Sequence, residues 1–191
     1  MKKKAVAVIM AAVMAMGMVS VVSVQAGVED KTLIVGFDAE YPPYGYMDEN
    51  GEYTGFDLEL AQAVCDLEGW ELEKKPINWD SKDMELNSGS IDCIWNGFTM
   101  NGREDDYTFS EPYVDNSQVI VVADDSGIEK LTDLAGKTVG VQAASAALDL
   151  LQSEEEGGQK ELADTFGALN EFADYNTAFT ELQAGALDAL A

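Results

Sequence analysis

Apolar and polar residues alternate along the first half of the chain with two different periods. Three segments have the pattern of strands: TLIVGF (32–37), WELEKKPINW (70–79) and IDCIWNG (91–97). Two have the pattern of amphipathic helices: FDLELAQAVCDLEG (56–69), ended by Gly69, and DSKDMELNSG (80–89), capped by Asp80 or Ser81. Segment 39–55, with two prolines and three glycines, predicts irregular structure. The strand–helix alternation predicts a parallel sheet with helices on both faces.

The second half repeats this alternation. Strands are predicted at SQVIVVA (117–123), KTVGV (137–141), LNEFA (169–173) and ALDALA (186–191). Helices are predicted at IEKLTDL (128–134), SAALDLLQ (145–152) and NTAFTELQAG (176–185), and the polar stretch 153–165 is expected at the surface. We therefore predict an α/β fold of two lobes, 27–117 and 118–191, with a hinge near 117–123.

The N-terminus has the pattern of an export signal. Lys2 to Lys4 precede twenty uncharged residues, AVAVIMAAVMAMGMVSVVSV, and Gln25-Ala26 then supplies a small-residue cleavage site. We predict a signal peptide over residues 1–26 and a periplasmic or extracellular location. Because the apolar run is long enough to span a bilayer, a cleaved signal and an uncleaved anchor are the two alternatives.

Charge excludes one class of partner. Without residues 1–26, which contain three Lys and no acid, 8 basic residues face 36 acidic ones. Phosphate backbones are repelled by such a chain, so we expect no nucleic acid partner.

The residue types also argue against catalysis and metal binding. The chain has no His, no GxSxG motif and no CxxC motif, so we expect no ordinary nucleophilic enzyme, no zinc site and no cofactor. Cys65 and Cys93 form a disulfide or remain buried thiols. Asp57 and Glu59 open the first helix, where acids suit the helix dipole.

Ligands of open α/β sheets bind beyond the carboxyl ends of the strands. That rule selects four segments: 38–41, Trp79, 96–99 and 142–146. They offer aromatic faces, a carboxylate and hydroxyls, and Arg103, the only arginine of the chain, follows closely. An amino acid requires these groups, since an arginine fork holds its carboxylate and aromatic walls hold its side chain.

Five stretches resemble the family-3 extracellular solute-binding proteins, the receptors of polar amino acid ABC transporters. They occur in the family's order and cover nearly all of the chain after residue 26: LIVGFDAEYPPYGYMDENGEYTGFDLELAQAV, NWDSKDMELNSGSIDCIWNGFTMNGRE, YTFSEPYVDNSQVIVV, LAGKTVGVQAASAALDLL and FADYNTAFTELQAGALDALA. The resemblance implies a two-lobed periplasmic-binding-protein fold (type II) that closes on its ligand by hinge motion. It also implies a monomer that delivers a polar or charged amino acid to a membrane permease.

The resemblance assigns roles to single residues. Arg103 stands at the carboxylate-binding arginine of a Gly-x-Thr-x-Thr-x-Glu-Arg motif, and GFTMNGR is one residue shorter, a difference that Gly102 can absorb. The alternative for Arg103 is pairing with Glu104, Asp105 or Asp106. The other residues of the predicted site are Asp38, Tyr41, Trp79, Asn96, Gly97, Thr99, Ser145 and Ala146.

Five of these residues also have a structural alternative. Tyr41 and Trp79 are ligand walls or core aromatics, Asp38 is a side-chain acceptor or a turn cap, and Thr99 is a ligand contact or a capping hydroxyl. Ser145 is a carboxylate contact beside a helix start, a plain helix cap, or both.

Two alternatives to transport follow from the same fold. One is a periplasmic enzyme similar to cyclohexadienyl dehydratases, for which only Asp38 and Glu40 offer an acid or base. The other is the sensing ectodomain of a membrane receptor. Because the chain stops within ALDALA, a predicted buried strand, we expect a fragment whose continuation supplies the acid that binds the ligand ammonium.

Overall fold

The first lobe is built on a three-stranded parallel sheet. In the computed structural model, which describes residues 31–191, β1 (Thr32–Phe37) lies between β5 (Glu71–Pro76) and β6 (Cys93–Ile94). Val35 and Phe37 of β1 pack against Leu58 and Ala61 in a fully buried cluster. The predicted export signal, residues 1–26, lies outside the described residues.

The opposite face of β1 packs closely against two isoleucine side chains. A Cβ added to Gly36 would lie 2.5 Å from Cδ1 of Ile91 and 3.4 Å from Cδ1 of Ile77. A larger residue at this position of the central strand would therefore have to displace the side chain of Ile91.

Helix α1 (Phe56–Glu68) follows its prediction and ends at Gly69, whose φ is 69°. The residues ahead of it differ from the prediction of irregular structure. They form a small antiparallel sheet of β2 (Glu40–Tyr41), β3 (Gly45–Met47) and β4 (Tyr53–Thr54). Pro42, Pro43 and Gly51 lie in its turns, and in the second turn Asp48 accepts hydrogen bonds of 2.9 Å from the N–H groups of Asn50 and Glu52. Turn residues between short strands make hairpins rather than a loop.

Two predicted elements of this lobe are shorter than their patterns. A 3₁₀ turn (Trp79–Ser81) precedes α2 (Lys82–Asn87), and Ser81 stands at the N-cap position without a side-chain cap bond. The third strand, predicted over 91–97, is reduced to Cys93–Ile94. The N–H of Trp95 still donates to the Gly36 carbonyl at 3.0 Å, so hydrogen bonding with β1 continues beyond the last residue of β6.

The second lobe holds a four-stranded sheet with one antiparallel edge. Its order is β7 (Val121–Val122), β10 (Ala189–Leu190), β8 (Thr138–Gln142) and β9 (Ala168–Phe172). β8 is parallel to both β9 and β10, and β7 runs antiparallel to β10. The strand predicted over 117–123 is therefore confined to two residues.

Three helices cover this sheet: α3 (Ala146–Gln152), α4 (Lys160–Ala163) and α5 (Tyr175–Gln183). Side-chain caps fix the starts of α3 and α5, because Ser145 Oγ accepts from the Leu148 N–H at 3.1 Å and Asp174 Oδ1 from the Thr177 N–H at 2.7 Å. The helix predicted over 128–134 is a 3₁₀ turn, Leu131–Leu134. The stretch 153–165, expected only at the surface, contains α4.

Cys65 and Cys93 are free thiols, the first buried and the second half-buried. Burial raises the pKa of the Cys93 thiol to about 11. Among the helices of residues 31–191, none combines the length and apolarity that crossing a membrane requires.

Candidate functional site

The carboxyl ends of β1, β5 and β8 face one cleft between the lobes, of about 360 Å³ including its mouth. Eight of the nine residues of the predicted site line it. They are Tyr41, Trp79, Asn96, Gly97, Thr99, Arg103, Ser145 and Ala146. Phe98, Gln118, Gln142 and Tyr175 complete the lining.

The side chain of Asp57 holds the loop that contains Gly97 in place. This carboxylate is 0% exposed; its Oδ2 accepts from the Gly97 N–H at 2.5 Å and its Oδ1 from the Tyr113 hydroxyl at 2.7 Å. Gly97 itself has φ 37°, a conformation that favours glycine. Burial raises the pKa of Asp57, although both hydrogen bonds oppose the change. The sequence pattern assigned Asp57 to the helix dipole and missed this contact.

Asp38 lies beside the cleft rather than in its lining. Its Oδ2 accepts from Gln142 Nε2 of the second lobe at 2.7 Å, its Oδ1 accepts from the Glu40 N–H, and its own N–H donates to Asn96 Oδ1. Burial raises the pKa of this carboxyl. Asp38 therefore joins the lobes and also closes the turn after β1.

Aromatic rings form two walls of the cleft. Tyr41 stacks on Tyr44 with ring centroids 5.6 Å apart and lies 5.7 Å from the ring of Tyr175 in the second lobe. Burial raises the pKa of the Tyr41 hydroxyl to about 12. Trp79, nearly buried, meets Phe98 edge to face at 5.3 Å.

Arg103 makes its polar contacts across the cleft. Its Nη2 donates to Asp149 Oδ2 at 2.6 Å and to the Ala144 carbonyl at 3.3 Å, both in the second lobe. Its Cζ lies 4.9 Å from the ring centroid of Phe98, within the range of a cation–π contact. Pairing with Glu104, Asp105 or Asp106, the alternative from sequence, does not occur among the described ion pairs. Gly102, directly before Arg103, has a φ of 79°, a conformation that favours glycine.

A second cation lies next to Arg103. Lys82 is buried, its Nζ stands 5.3 Å from the ring centroid of Trp79, and it donates to the same Ala144 carbonyl at 3.4 Å. Burial lowers the pKa of the Lys82 ammonium. The sequence pattern gave Lys82 no role, although it stands three residues after Trp79 at the start of α2.

Two hydroxyl residues of the predicted site already have partners. Thr99 Oγ1 accepts from Asn116 Nδ2 at 3.0 Å, and Ser145 caps α3. Burial raises the pKa of Tyr175, and a hydrogen bond with the Ser145 side chain partly offsets this. The lining of the cleft thus combines aromatic rings, amides, hydroxyls and the guanidinium of Arg103, and it suits a small ligand with a carboxylate.

Comparison with known proteins shows the family to which the chain belongs. Residues 33–191 match the bacterial extracellular solute-binding proteins, family 3, and the chain belongs to that family. It is 38% identical to the arginine-binding extracellular protein ArtP of Bacillus subtilis (strain 168) over 138 residues, which cover 72% of this chain and 51% of that protein. It is 32% identical to the L-cystine-binding protein TcyJ of Escherichia coli (strain K12) over 165 residues, 85% of this chain and 59% of that protein.

Solved structures of amino acid-binding proteins show the same two-lobed fold. The substrate-binding protein of an ABC uptake transporter from Streptococcus pneumoniae, with bound histidine, matches with a TM-score of 0.77 and 34% identity, over 83% of this chain and 64% of that one. An ancestral arginine-binding protein bound to arginine matches with a TM-score of 0.72 and 39% identity, over 83% and 68%. The chain spans 51% and 59% of the lengths of ArtP and TcyJ.

Proposed function

We propose that this protein is exported, captures a free amino acid with a polar or charged side chain without altering it, and delivers it to an ABC transporter permease. The position of Arg103 is the main observation behind this proposal. Its side chain is 11% exposed, lies against an aromatic ring and stands in the cleft that eight residues of the predicted site line. A guanidinium in this position suits the α-carboxylate that all amino acids share.

The surroundings of Arg103 strengthen such a contact. The Arg103 side chain is largely buried, and Coulomb attraction grows as the effective dielectric constant falls. The buried Lys82 adds a second positive charge nearby. Closure of two lobes, 27–117 and 118–191, about a hinge near 117–123 completes the proposed mechanism.

The remainder of the lining favours a polar ligand side chain. Tyr41, Trp79 and Tyr175 offer aromatic faces, and Asn96 and Gln118 offer amide groups. Similar proteins are named for binding arginine, cystine and histidine, which are all polar. These names support the class of ligand and leave its identity to experiment.

Calorimetry with the twenty amino acids tests the proposal on the purified protein. A ligand present at 100 times its Kd should raise the free energy of unfolding by about 2.7 kcal/mol. Arg103→Ala should weaken binding by about 30-fold or more, since breaking a desolvated charge pair costs about 2–5 kcal/mol. Arg103→Lys should restore little of this affinity because it lacks the planar fork.

Lys130→Ala is the matched control, because it removes a positive charge from an exposed side chain paired only with Asp133. It should leave the affinity unchanged. Wild-type affinity in Arg103→Ala would contradict the proposed site.

An enzyme on the same fold is the other candidate, and the same preparation tests it. Its acid or base would be Asp38 or Glu40, but Asp38 accepts from Gln142 and Glu40 Oε2 accepts from Asn176 Nδ2 at 2.6 Å. We therefore expect no turnover of prephenate-like acids. Measurable dehydration that is lost in Asp38→Asn would replace the binding proposal with a catalytic one.

A further inference from the structure

Arg103 is the only arginine of the chain, and one of its nitrogens is fully used by the second lobe. Nη2 carries two hydrogens, and it donates to Asp149 Oδ2 at 2.6 Å and to the Ala144 carbonyl at 3.3 Å. Among residues 31–191, the guanidinium makes no other hydrogen bond. Nε and Nη1 are therefore the donors that remain for a ligand.

The shape of a guanidinium makes this occupancy important. A carboxylate binds it with two parallel bonds either side-on, through Nε and Nη2, or end-on, through Nη1 and Nη2. Both arrangements use a hydrogen of Nη2. A ligand carboxylate can form its double contact only after Asp149 or the Ala144 carbonyl gives up its bond.

Asp149 is the partner that can leave more easily. Its side chain is 59% exposed, so water can solvate the carboxylate once it is released. The Ala144 carbonyl is also the acceptor for Lys82, and the backbone there is held by an unusual φ of 53°. The helix that carries Asp149 is anchored in the second lobe by Ala147, Leu148 and Leu151, so release is a movement of the side chain or of the whole lobe.

We propose that Asp149 is an affinity-determining residue that occupies the carboxylate seat of Arg103 in the ligand-free protein. The carboxylate of Asp149 and the carboxylate of the ligand compete for the same Nη2 of Arg103. The competition rests on the proposed function, whereas the pairing in the ligand-free protein does not. An ion pair with one exposed partner is weak, so removing the competitor should tighten amino acid binding about two- to five-fold.

The sole arginine allows a direct measurement of the pairing. In protein labelled with ¹⁵N-arginine, the guanidinium gives one set of side-chain NMR signals. A bound Nη2 rotates slowly, so its signals should be resolved in the ligand-free wild type and should merge in Asp149→Asn and Asp149→Ala. Asp164→Asn is the matched control, since it removes the same charge from another exposed ion pair, to Lys160 at 2.8 Å.

Titration of the same variants with the best amino acid of the binding screen tests the competition. Asp149→Asn should bind the amino acid more tightly than wild type does, and Asp164→Asn should bind it as tightly as wild type. The difference in affinity between Asp149→Asn and wild type should narrow in 1 M salt, because screening weakens the pair of Arg103 and Asp149.

Three results separate the possible failures. Unchanged guanidinium signals in both Asp149 variants would refute the pairing. Merged signals with equal or weaker affinity in the variants would refute the competition. If no amino acid binds the wild type, the proposed function and the competition are both wrong, and the NMR signals alone decide the pairing.

Discussion

The buried carboxylate of Asp57 gives the sharpest test of how the site is held. It accepts hydrogen bonds from the Gly97 N–H at 2.5 Å and the Tyr113 hydroxyl at 2.7 Å. Asp57→Ala leaves both donors without their acceptor. A buried donor without a partner costs about 1–3 kcal/mol, and the partly exposed Tyr113 can turn to water. We therefore expect Asp57→Ala to lower the free energy of unfolding by about 1–3 kcal/mol, the cost of leaving the Gly97 N–H without an acceptor.

Asp57→Asn should behave differently, because its amide oxygen can still accept from Gly97 while its NH₂ donates to the Tyr113 oxygen. It loses a charge-assisted bond but also removes the cost of burying a charge. The two effects oppose each other, so we expect the stability to stay within about 1 kcal/mol of wild type. Amino acid affinity should be kept in Asp57→Asn and reduced in Asp57→Ala, since Gly97 stays in place only when its N–H has an acceptor.

Denaturant unfolding at neutral pH measures these differences, and Glu59→Ala is the control. Glu59 lies in the same first turn of α1 but is exposed, so it shares the dipole contribution and lacks the contact with Gly97. It should lose less than about 1 kcal/mol. Equal losses for Asp57→Ala and Glu59→Ala would mean that the helix dipole accounts for Asp57 and that our assignment of the contact is wrong.

Three further predictions follow from single residues. Trp79→Phe should remove the ligand-induced change in tryptophan emission while Trp70→Phe keeps it; a surviving response in the first variant would exclude Trp79 as the wall. Ala144→Gly should raise the free energy of unfolding by about 0.5 kcal/mol, because φ 53° strains alanine by more than glycine loses in unfolded-chain entropy; calorimetric unfolding beside Ala143→Gly, expected to be destabilising, checks this. Burial raises the pKa of Asp57, so as the pH falls this carboxyl binds its proton at a higher pH in the folded state than in the unfolded state. The stability of the wild type relative to Asp57→Asn should therefore rise as the pH falls towards about 3.9. A difference in unfolding free energy that does not change with pH would contradict this.

Regular elements could be predicted where one period dominates a segment. Residues 32–37 form a buried strand, and 56–68 a helix stopped by Gly69, close to their predicted bounds. The prediction was wrong over 39–55, because turn residues and two- or three-residue strands give the same composition as a loop. Such short strands form only because a neighbouring strand supplies partners, and a single sequence does not show that neighbour.

The cleft could be anticipated because the carboxyl ends of neighbouring parallel strands meet at one edge of a sheet. That rule brought together residues as distant in sequence as Tyr41 and Ser145. It did not find Tyr175 or Asp149, which reach the cleft from helices of the second lobe. It also missed Lys82, since a lysine at a helix start is ordinarily a solvated surface residue.

The position of Arg103 shows why net charge and local charge must be treated separately. The sequence carries a formal charge of −25, and by that measure an anionic group should be repelled everywhere. Charges separated by more than about 8–10 Å through water are screened, however, whereas neighbours in a half-buried cleft are not. Arg103 and the buried Lys82 both reach the Ala144 carbonyl, so the two cations act on the same small volume. Asp149 is the acid that contacts the guanidinium. For that reason Asp149, rather than the remaining acids of the chain, should determine how strongly the cleft attracts the carboxylate of a ligand.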